Sequence, residues 1–286
     1  MKKIKIILPI IILVIAAYII VLVISGNKKD DDQLVIQRKT TEETTSDDSA
    51  VSDASDTDAA TDETTEDRTN AYTSTAGVII NGETVPEFVD EPYVQLNQNA
   101  PSFTEDELKT DSYEHYSELD ELGRCGMAEA CVGLDLIPTE ERGEIGDIKP
   151  SGWHTVKYEG VVTDGYLYNR CHLVDYQLTG NNSDVRNFIT GTEYMNITGM
   201  LPFENMVARY VEMTGNHVMY RVTPYYMEDN LIATGVQIEA CSVEDEGMGV
   251  YYNVFVYNVQ PGVVIDYKTG DSWLEYKFLN IICIST

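Results

Sequence analysis

The sequence predicts an α+β fold: a mainly antiparallel sheet with few helices, behind an N-terminal apolar segment and an acidic tether. Three observations point there. Strand-like runs dominate the last third, at His217–Tyr226, Leu231–Ser242, Val250–Gln260 and Val263–Tyr267, with turn pairs such as Asp229-Asn230 and Glu246-Gly247 between them. Phe203, Met206, Val207, Tyr210, Val211 and Thr214 recur at helical spacing, with Pro202 in the first turn and Gly215 as the stop. The first 75 residues differ wholly in composition from the rest.

Taken in order, Lys2, Lys3 and Lys5 precede an uncharged apolar run from Ile6 to Ile24. At helical rise this run spans ~28 Å, close to a bilayer core. The lysine bias sets the N-terminus inside and exports everything after it. Residues 1–29 therefore read as a transmembrane signal anchor. A cleaved signal peptide is the alternative, although Val23-Ile24-Ser25 makes a poor cleavage site. Residues 30–75 are Asp, Glu, Ser, Thr and Ala with almost no large apolar side chain after Ile36. Such a segment cannot bury enough surface to offset its ordering entropy and reads as a disordered acidic linker.

Residues 76–286 make the globular part. Val78–Gly82 and Val85–Val89 read as a short strand and an edge. Phe103–Leu122 reads as one helix, with Thr104 as N-cap ahead of Glu105, Asp106 and Glu107, and Gly123 at its end. Asp135–Gly143 is a turn-rich connection. Thr155–Tyr158 and Tyr166–Tyr168 read as strands around an Asp164-Gly165 turn.

Composition sets bounds on partners. There are 48 acidic against 19 basic residues, a formal net charge of −29, and residues 151–286 alone hold 16 acids and 7 bases. Taken alone, that balance argues against nucleic acid as a partner and against an anionic membrane surface. Five cysteines leave at least one thiol unpaired within the chain, and no Cys/His spacing suits structural zinc.

One stretch concentrates chemistry-bearing residues: Asn169-Arg170-Cys171-His172, then Asn187, Asn196 and Glu204. His172 follows a strand, Asn196 stands at the mouth of the amphipathic helix, and Glu204 is in its first turn. A strand-borne His and a helix-start Asn converge only if a hairpin folds back on the helix, a ββα arrangement. Taken singly, each residue has a bland reading. A His after a strand is usually a hydrogen-bonded structural residue, and an Asn at a helix start is usually a cap. Glu204 could simply complement the helix dipole.

Taken together, these residues resemble the DNA/RNA non-specific endonucleases of the ββα-metal (His-metal finger) group, in particular the DNA-entry and streptodornase-like branch. The matching text is YNRCHLVDYQLTG (Tyr168–Gly180), NFITGTEYMNITGMLPFEN (Asn187–Asn205), HVMYRVTP (His217–Pro224), VFVYNVQPG (Val254–Gly262) and IDYKTG (Ile265–Gly270). Residues 120–272 carry the resemblance, and 24 residues separate His172 from Asn196, with 8 more to Glu204. The resemblance implies a nuclease domain over 76–286 with its catalytic core at about 150–272.

It also implies roles. His172 would be the general base that takes a proton from water. The Asn196 carbonyl would hold one Mg²⁺, with Mn²⁺ as the alternative, and Glu204 would reach the ion through a water. Arg170 would pair with a substrate phosphate. Asn187 would hold the loop or touch the phosphate, and Arg209 is a second phosphate candidate. Where the wider family reads Asp-Arg-Gly-His, this chain has Asn169 and Cys171. In an exported compartment Cys171 is expected to be disulfide-bonded, to Cys125 by preference and to Cys131 as the competitor, with Cys283 left over. The expected substrate is DNA, with RNA open as a second one. The competing function is a non-catalytic surface module of the same fold.

Overall fold

The computed structural model describes residues 77–163 and 165–275. The 1–29 segment, the 30–75 linker, Asp164 and Cys283 lie outside the described residues. Among the described residues no helix is long and apolar enough to cross a membrane.

The chain opens with a small hairpin, β1 (Ile79–Ile80) and β2 (Glu83–Thr84). Then come β3 (Tyr93–Gln95), β4 (Tyr113–Tyr116) and β5 (Ala128–Val132). Next are β6 (Tyr168–His172), a one-turn helix α1 (Tyr176–Thr179) and β7 (Phe188–Thr192). A π-helical turn, Tyr194–Met200, runs straight into α2 (Leu201–Thr214). The chain ends with β8 (Val218–Tyr225), β9 (Gly235–Ser242), β10 (Tyr251–Tyr257), β11 (Val263–Ile265) and β12 (Ser272–Leu274). The central sheet has six antiparallel strands in the order β3-β10-β9-β8-β5-β4, and β6 and β7 form a separate two-stranded ribbon.

The sheet is covered on both faces, so β9 is buried at every position. Its inner face, Val236, Ile238 and Ala240, packs with Val218, Tyr220 and Val222 of β8 against Phe203, Val207 and Val211 of α2. Each large apolar side chain in such a layer contributes ~1.5–3 kcal/mol by leaving water. Its outer face carries Gln237, Glu239 and Cys241 under a strap that precedes β4. There Glu239 accepts hydrogen bonds from the Ser102 N–H and hydroxyl, each at 2.7 Å.

The sequence expectations held for β8 to β11 and for α2, whose Gly215 adopts φ +73° and donates its N–H to the Val211 carbonyl. They failed over Phe103–Leu122. Thr104 caps no helix: Glu107 accepts from its N–H and hydroxyl at 2.7 Å, and the Thr104 side chain takes no backbone N–H. Only one turn follows, because Tyr113–Tyr116 are drawn out as an edge strand against Ala128–Cys131. Val85–Val89 forms no strand, and Thr155–Tyr158 is joined to Gly165–Leu167 only loosely, through Tyr158 N–H to the Gly165 carbonyl and Leu167 N–H to the Val156 carbonyl.

Candidate active site

The site is built on the β6–β7 ribbon and the helix behind it. The ribbon is in register His172↔Phe188, Cys171↔Ile189 and Arg170↔Thr190. Strand alternation puts Cys171 on the face opposite His172. Cys171 packs over Gly191, where a Cβ would run into its sulfur. That contact is how the ribbon accommodates a side chain at a position where the wider family has glycine.

His172 is 3% exposed, with its ring centroid 4.2 Å from that of Phe188. Its Nδ1 lies 3.2 Å from Nη2 of Arg142. A guanidinium can only donate, so Nδ1 is the accepting nitrogen and the neutral ring carries its proton on Nε2. Nε2 is buried with no partner among the described residues. Burial, and then the Arg142 charge, push the imidazole pKa down to about 3. The side chain is therefore neutral, with its lone pair on the side Arg142 occupies.

Two carboxylates share this environment. Asp175 caps α1, accepting the Gln177 N–H at 2.8 Å, yet burial still raises its pKa. Glu204, in the first turn of α2, is 2% exposed and has no hydrogen-bond partner among the described residues. Burial and then the negative field of Asp175 push it well above the usual carboxylate range, and Arg142 alone opposes them. The Tyr220 hydroxyl, close enough to feel Glu204 and Asp175, is also buried without a partner.

The π turn supplies Asn196. Its carbonyl accepts from the Leu201 N–H, the i to i+5 bond that defines the turn, and its half-buried side chain makes no hydrogen bond among the described residues. Gly199 lets the turn approach β10, because a Cβ there would run into Val256. Helical turns of this kind occur often at functional sites.

These donors fit a hard divalent ion. Two buried carboxylates balanced by one arginine leave uncompensated negative charge, and Asn196 adds a free amide oxygen two turns before Glu204. Among the described residues no group of three or more His, Cys, Asp or Glu could hold a metal.

The other expected residues are placed as follows. Arg170 is engaged within the chain: its Nε donates to the Ile148 carbonyl at 2.5 Å, its Nη2 to the Gly146 carbonyl at 2.6 Å, and its guanidinium stacks 4.1 Å over Trp153. It ties down the loop that carries Arg142. Asn187 is fully buried and spends its amide on Val174, accepting its N–H at 2.8 Å and donating to its carbonyl at 2.9 Å. Of its two expected roles it keeps the loop-holding one, fixing the segment after His172. Arg209 is exposed, five residues beyond Glu204 and so on the opposite side of α2, beside Asn205, Met206, Tyr210 and Met213. The Cys125–Cys171 disulfide is absent. Cys125, Cys131, Cys171 and Cys241 are all free and buried, and the Cys125 thiol donates to the Phe188 carbonyl at 3.0 Å.

His172 and Glu204 both lie within the field of Arg142. Arg142 and Asp175 were missed. Asp175 had a local signal, a capping residue three positions past His172. Arg142 had none: it stands among Glu140, Glu141 and Glu144 in a turn-rich connection.

Residues 104–244 match the family model described as DNA/RNA non-specific endonuclease. Among solved structures, the chain is similar to NucA from Streptococcus agalactiae crystallised with a magnesium ion. The identity is 26% and the TM-score 0.57, over 63% of this chain and 87% of that one. The metal-free form of NucA gives 24% identity and a TM-score of 0.61, over 73% of this chain and 99% of that one. The Sda1 nuclease with bound zinc gives 23% and 0.56, over 65% and 97%. The match spans both the ribbon that carries His172 and the helix that carries Glu204, so residues 104–244 carry a DNA/RNA non-specific endonuclease domain.

Proposed function

We propose that this chain is an exported, membrane-tethered endonuclease that hydrolyses phosphodiester bonds of DNA without sequence specificity, RNA being a second candidate substrate. The observation that carries the reading is the His172–Arg142 contact at 3.2 Å beside unpaired Glu204. It sets a neutral base and a buried anion around one cation, Arg142.

In this reading Arg142 leaves Nδ1 for the substrate phosphate. Nδ1 is then open to the attacking water. It takes the water proton as the water oxygen bonds to phosphorus and the bond to the 3′ oxygen breaks. Moving Arg142 onto an anion also removes one of the two causes that hold the imidazole pKa low, so the base strengthens as substrate binds. A divalent ion held by Asn196, with Glu204 and Asp175 around it, would neutralise charge on the phosphate and the leaving oxygen. Asn187 and Arg170 keep the His172 loop and the Arg142 loop in place. Export and tethering rest on Lys2, Lys3 and Lys5 and the apolar run Ile6–Ile24.

The test is plasmid nicking with and without EDTA, for the wild type and His172→Ala. Loss of a general base should lower the rate roughly 10²–10⁴-fold, with the melting temperature unchanged. EDTA-insensitive nicking, or near-normal nicking by the variant, would remove the ion or His172 from the mechanism. No nicking by folded wild-type protein would favour the non-catalytic surface module.

A further inference from the structure

The segment after β10, Asn258-Val259-Gln260, takes no part in the chemistry above, yet it is hydrogen-bonded to the end of the ribbon and to the turn that follows through the Asn258 amide, the Val259 carbonyl and the Gln260 side chain. Asn258 is fully buried. Its Oδ1 accepts the Thr192 N–H at 2.9 Å, and its Nδ2 donates to the carbonyls of Thr190 at 3.1 Å and Ala233 at 2.9 Å. One side chain thus joins the end of β7 to the segment entering β9. Its own carbonyl accepts from the Tyr267 hydroxyl at 2.5 Å.

The next two contacts reach the π turn itself. The residue preceding the turn, Glu193, offers no side-chain cap. The first N–H groups of a helical turn have no partner inside it and must find one elsewhere. Here Gln260 Oε1 takes the Tyr194 N–H at 3.1 Å, and Thr192 Oγ1 takes the Met195 N–H at 3.0 Å. The Thr192 hydroxyl in turn donates to the Val259 carbonyl at 2.6 Å. Asn196 is the next residue, and three positions later Gly199 is pressed against Val256.

We infer that Asn258, Gln260 and Thr192 form a polar buckle that sets the position of Asn196, making them positioning residues for the divalent ion. A π turn has an irregular hydrogen-bond register, so its direction is not fixed from within. The buckle fixes the turn before Asn196, and the close approach of Gly199 to Val256 holds it after. The role toward the ion rests on the function proposed above, and the hold on the turn does not.

Asn258→Ala leaves three buried backbone groups unpaired and is expected to unfold the domain, so the test uses Thr192→Val, Thr192→Ser and Gln260→Leu. Thr192→Val keeps the shape and removes the hydroxyl, while Thr192→Ser keeps the hydroxyl. Three readouts apply: Mn²⁺ binding by calorimetry without DNA, the Mn²⁺ concentration that half-activates nicking, and amide exchange over residues 193–197. Thr192→Val and Gln260→Leu should weaken Mn²⁺ binding and raise the half-activating concentration about 10–100-fold. KM for DNA should stay within about twofold, and exchange should quicken at Tyr194, Met195 and Asn196. Thr192→Ser should return all three readouts close to wild type. Wild-type ion binding in folded Thr192→Val would overturn the inference, as would failure of Thr192→Ser to rescue. If the wild type neither binds Mn²⁺ nor nicks DNA, the proposed function fails instead. Exchange at Met195 then decides the buckle alone: faster in Thr192→Val supports it, unchanged overturns it.

Discussion

Glu204 and Glu239 are the same residue type at nearly the same burial, 2% and 3% exposed, on opposite faces of one sheet. Glu239 is fully engaged: it accepts two hydrogen bonds from Ser102 and pairs with Arg221 at 3.2 Å, while Arg221 also reaches Glu107 at 2.8 Å and stacks on Phe103. Glu204 has no hydrogen bond among the described residues, and only the charge of Arg142 opposes its burial and the field of Asp175. Burying a carboxylate is costly unless partners compensate. On the outer face the partners are there, and the cluster pins the strap to the sheet. On the inner face they are withheld, and the unpaired carboxylate marks the position where a cation and an anionic substrate would supply the balance. A buried acid is thus structural or functional according to its partners, and burial alone does not distinguish the two.

The sharpest test swaps the same atom at both sites. Glu204→Gln should lower nicking about 10–100-fold, the scale expected when an outer ion partner is lost. Its stability at neutral pH should match or exceed wild type. The sign follows from the raised native pKa: the stability linked to this carboxyl is complete below its unfolded value and is lost as pH rises, so a neutral amide removes a penalty. Glu239→Gln should do the reverse, costing ~1–3 kcal/mol by leaving buried donors poorly matched and keeping activity per folded molecule. Urea denaturation and plasmid nicking on both variants check this. Equal losses of activity would erase the distinction.

Arg142 is the one described cation set against both His172 and Glu204. Arg142→Ala should cut kcat/KM strongly and also change its pH profile. In the wild type the pKa of His172 is lowered, so the acid limb of kcat/KM should lie well below the ordinary imidazole value of 6.5. Removing Arg142 removes the smaller of the two causes, and the limb should move up in pH without reaching 6.5, since burial remains. Stability should follow the same group: its contribution is complete above about pH 6.5 and is lost as the pH falls toward 3, because only the unfolded chain takes up the proton. An acid limb at the same pH in both proteins would show that Arg142 does not act on the base.

What could be read in the sequence follows the same division between local and long-range causes. The strands from β8 to β10 were legible because they are long apolar runs, and α2 because its apolar period, Pro202 and Gly215 agree. His172, Asn196 and Glu204 were singled out through the family resemblance and its spacing. β5 was missed because its inward residues Ala128 and Ala130 are small and weak strand formers. The hold of Arg170 on the Gly146 and Ile148 carbonyls could not be read, because those partners lie more than twenty residues earlier. The thiols were misread for a similar reason. Nothing in the spacing of Cys125 and Cys171 tells that one is held by the Phe188 carbonyl and the other fills the space over Gly191.

The smallest expected effect concerns salt, and it extends the comparison to the whole surface. Most bases of the described domain already have partners. Arg124 pairs with Asp120 at 2.7 Å, Arg186 with Asp184 at 2.6 Å and Glu118 at 2.8 Å, and Lys268 with Asp229 at 3.1 Å. Arg221 belongs to the Glu239 cluster and Arg170 to the loop carbonyls. With 16 acids and 7 bases over residues 151–286, steering toward DNA should be poor, and phosphate contacts should be confined to the cleavage point around Arg142. Substrate binding should therefore release roughly two or three counterions rather than six or more, giving a shallow salt slope. Moderate salt should even help, by screening the acidic surface while the divalent ion bridges protein and DNA. The measurement is KM for duplex DNA across ionic strength at fixed Mg²⁺. A steep rise, about tenfold or more per doubling of salt, would mean that a concentrated basic track binds DNA away from His172, and that the pairing seen on the surface gives way when substrate arrives.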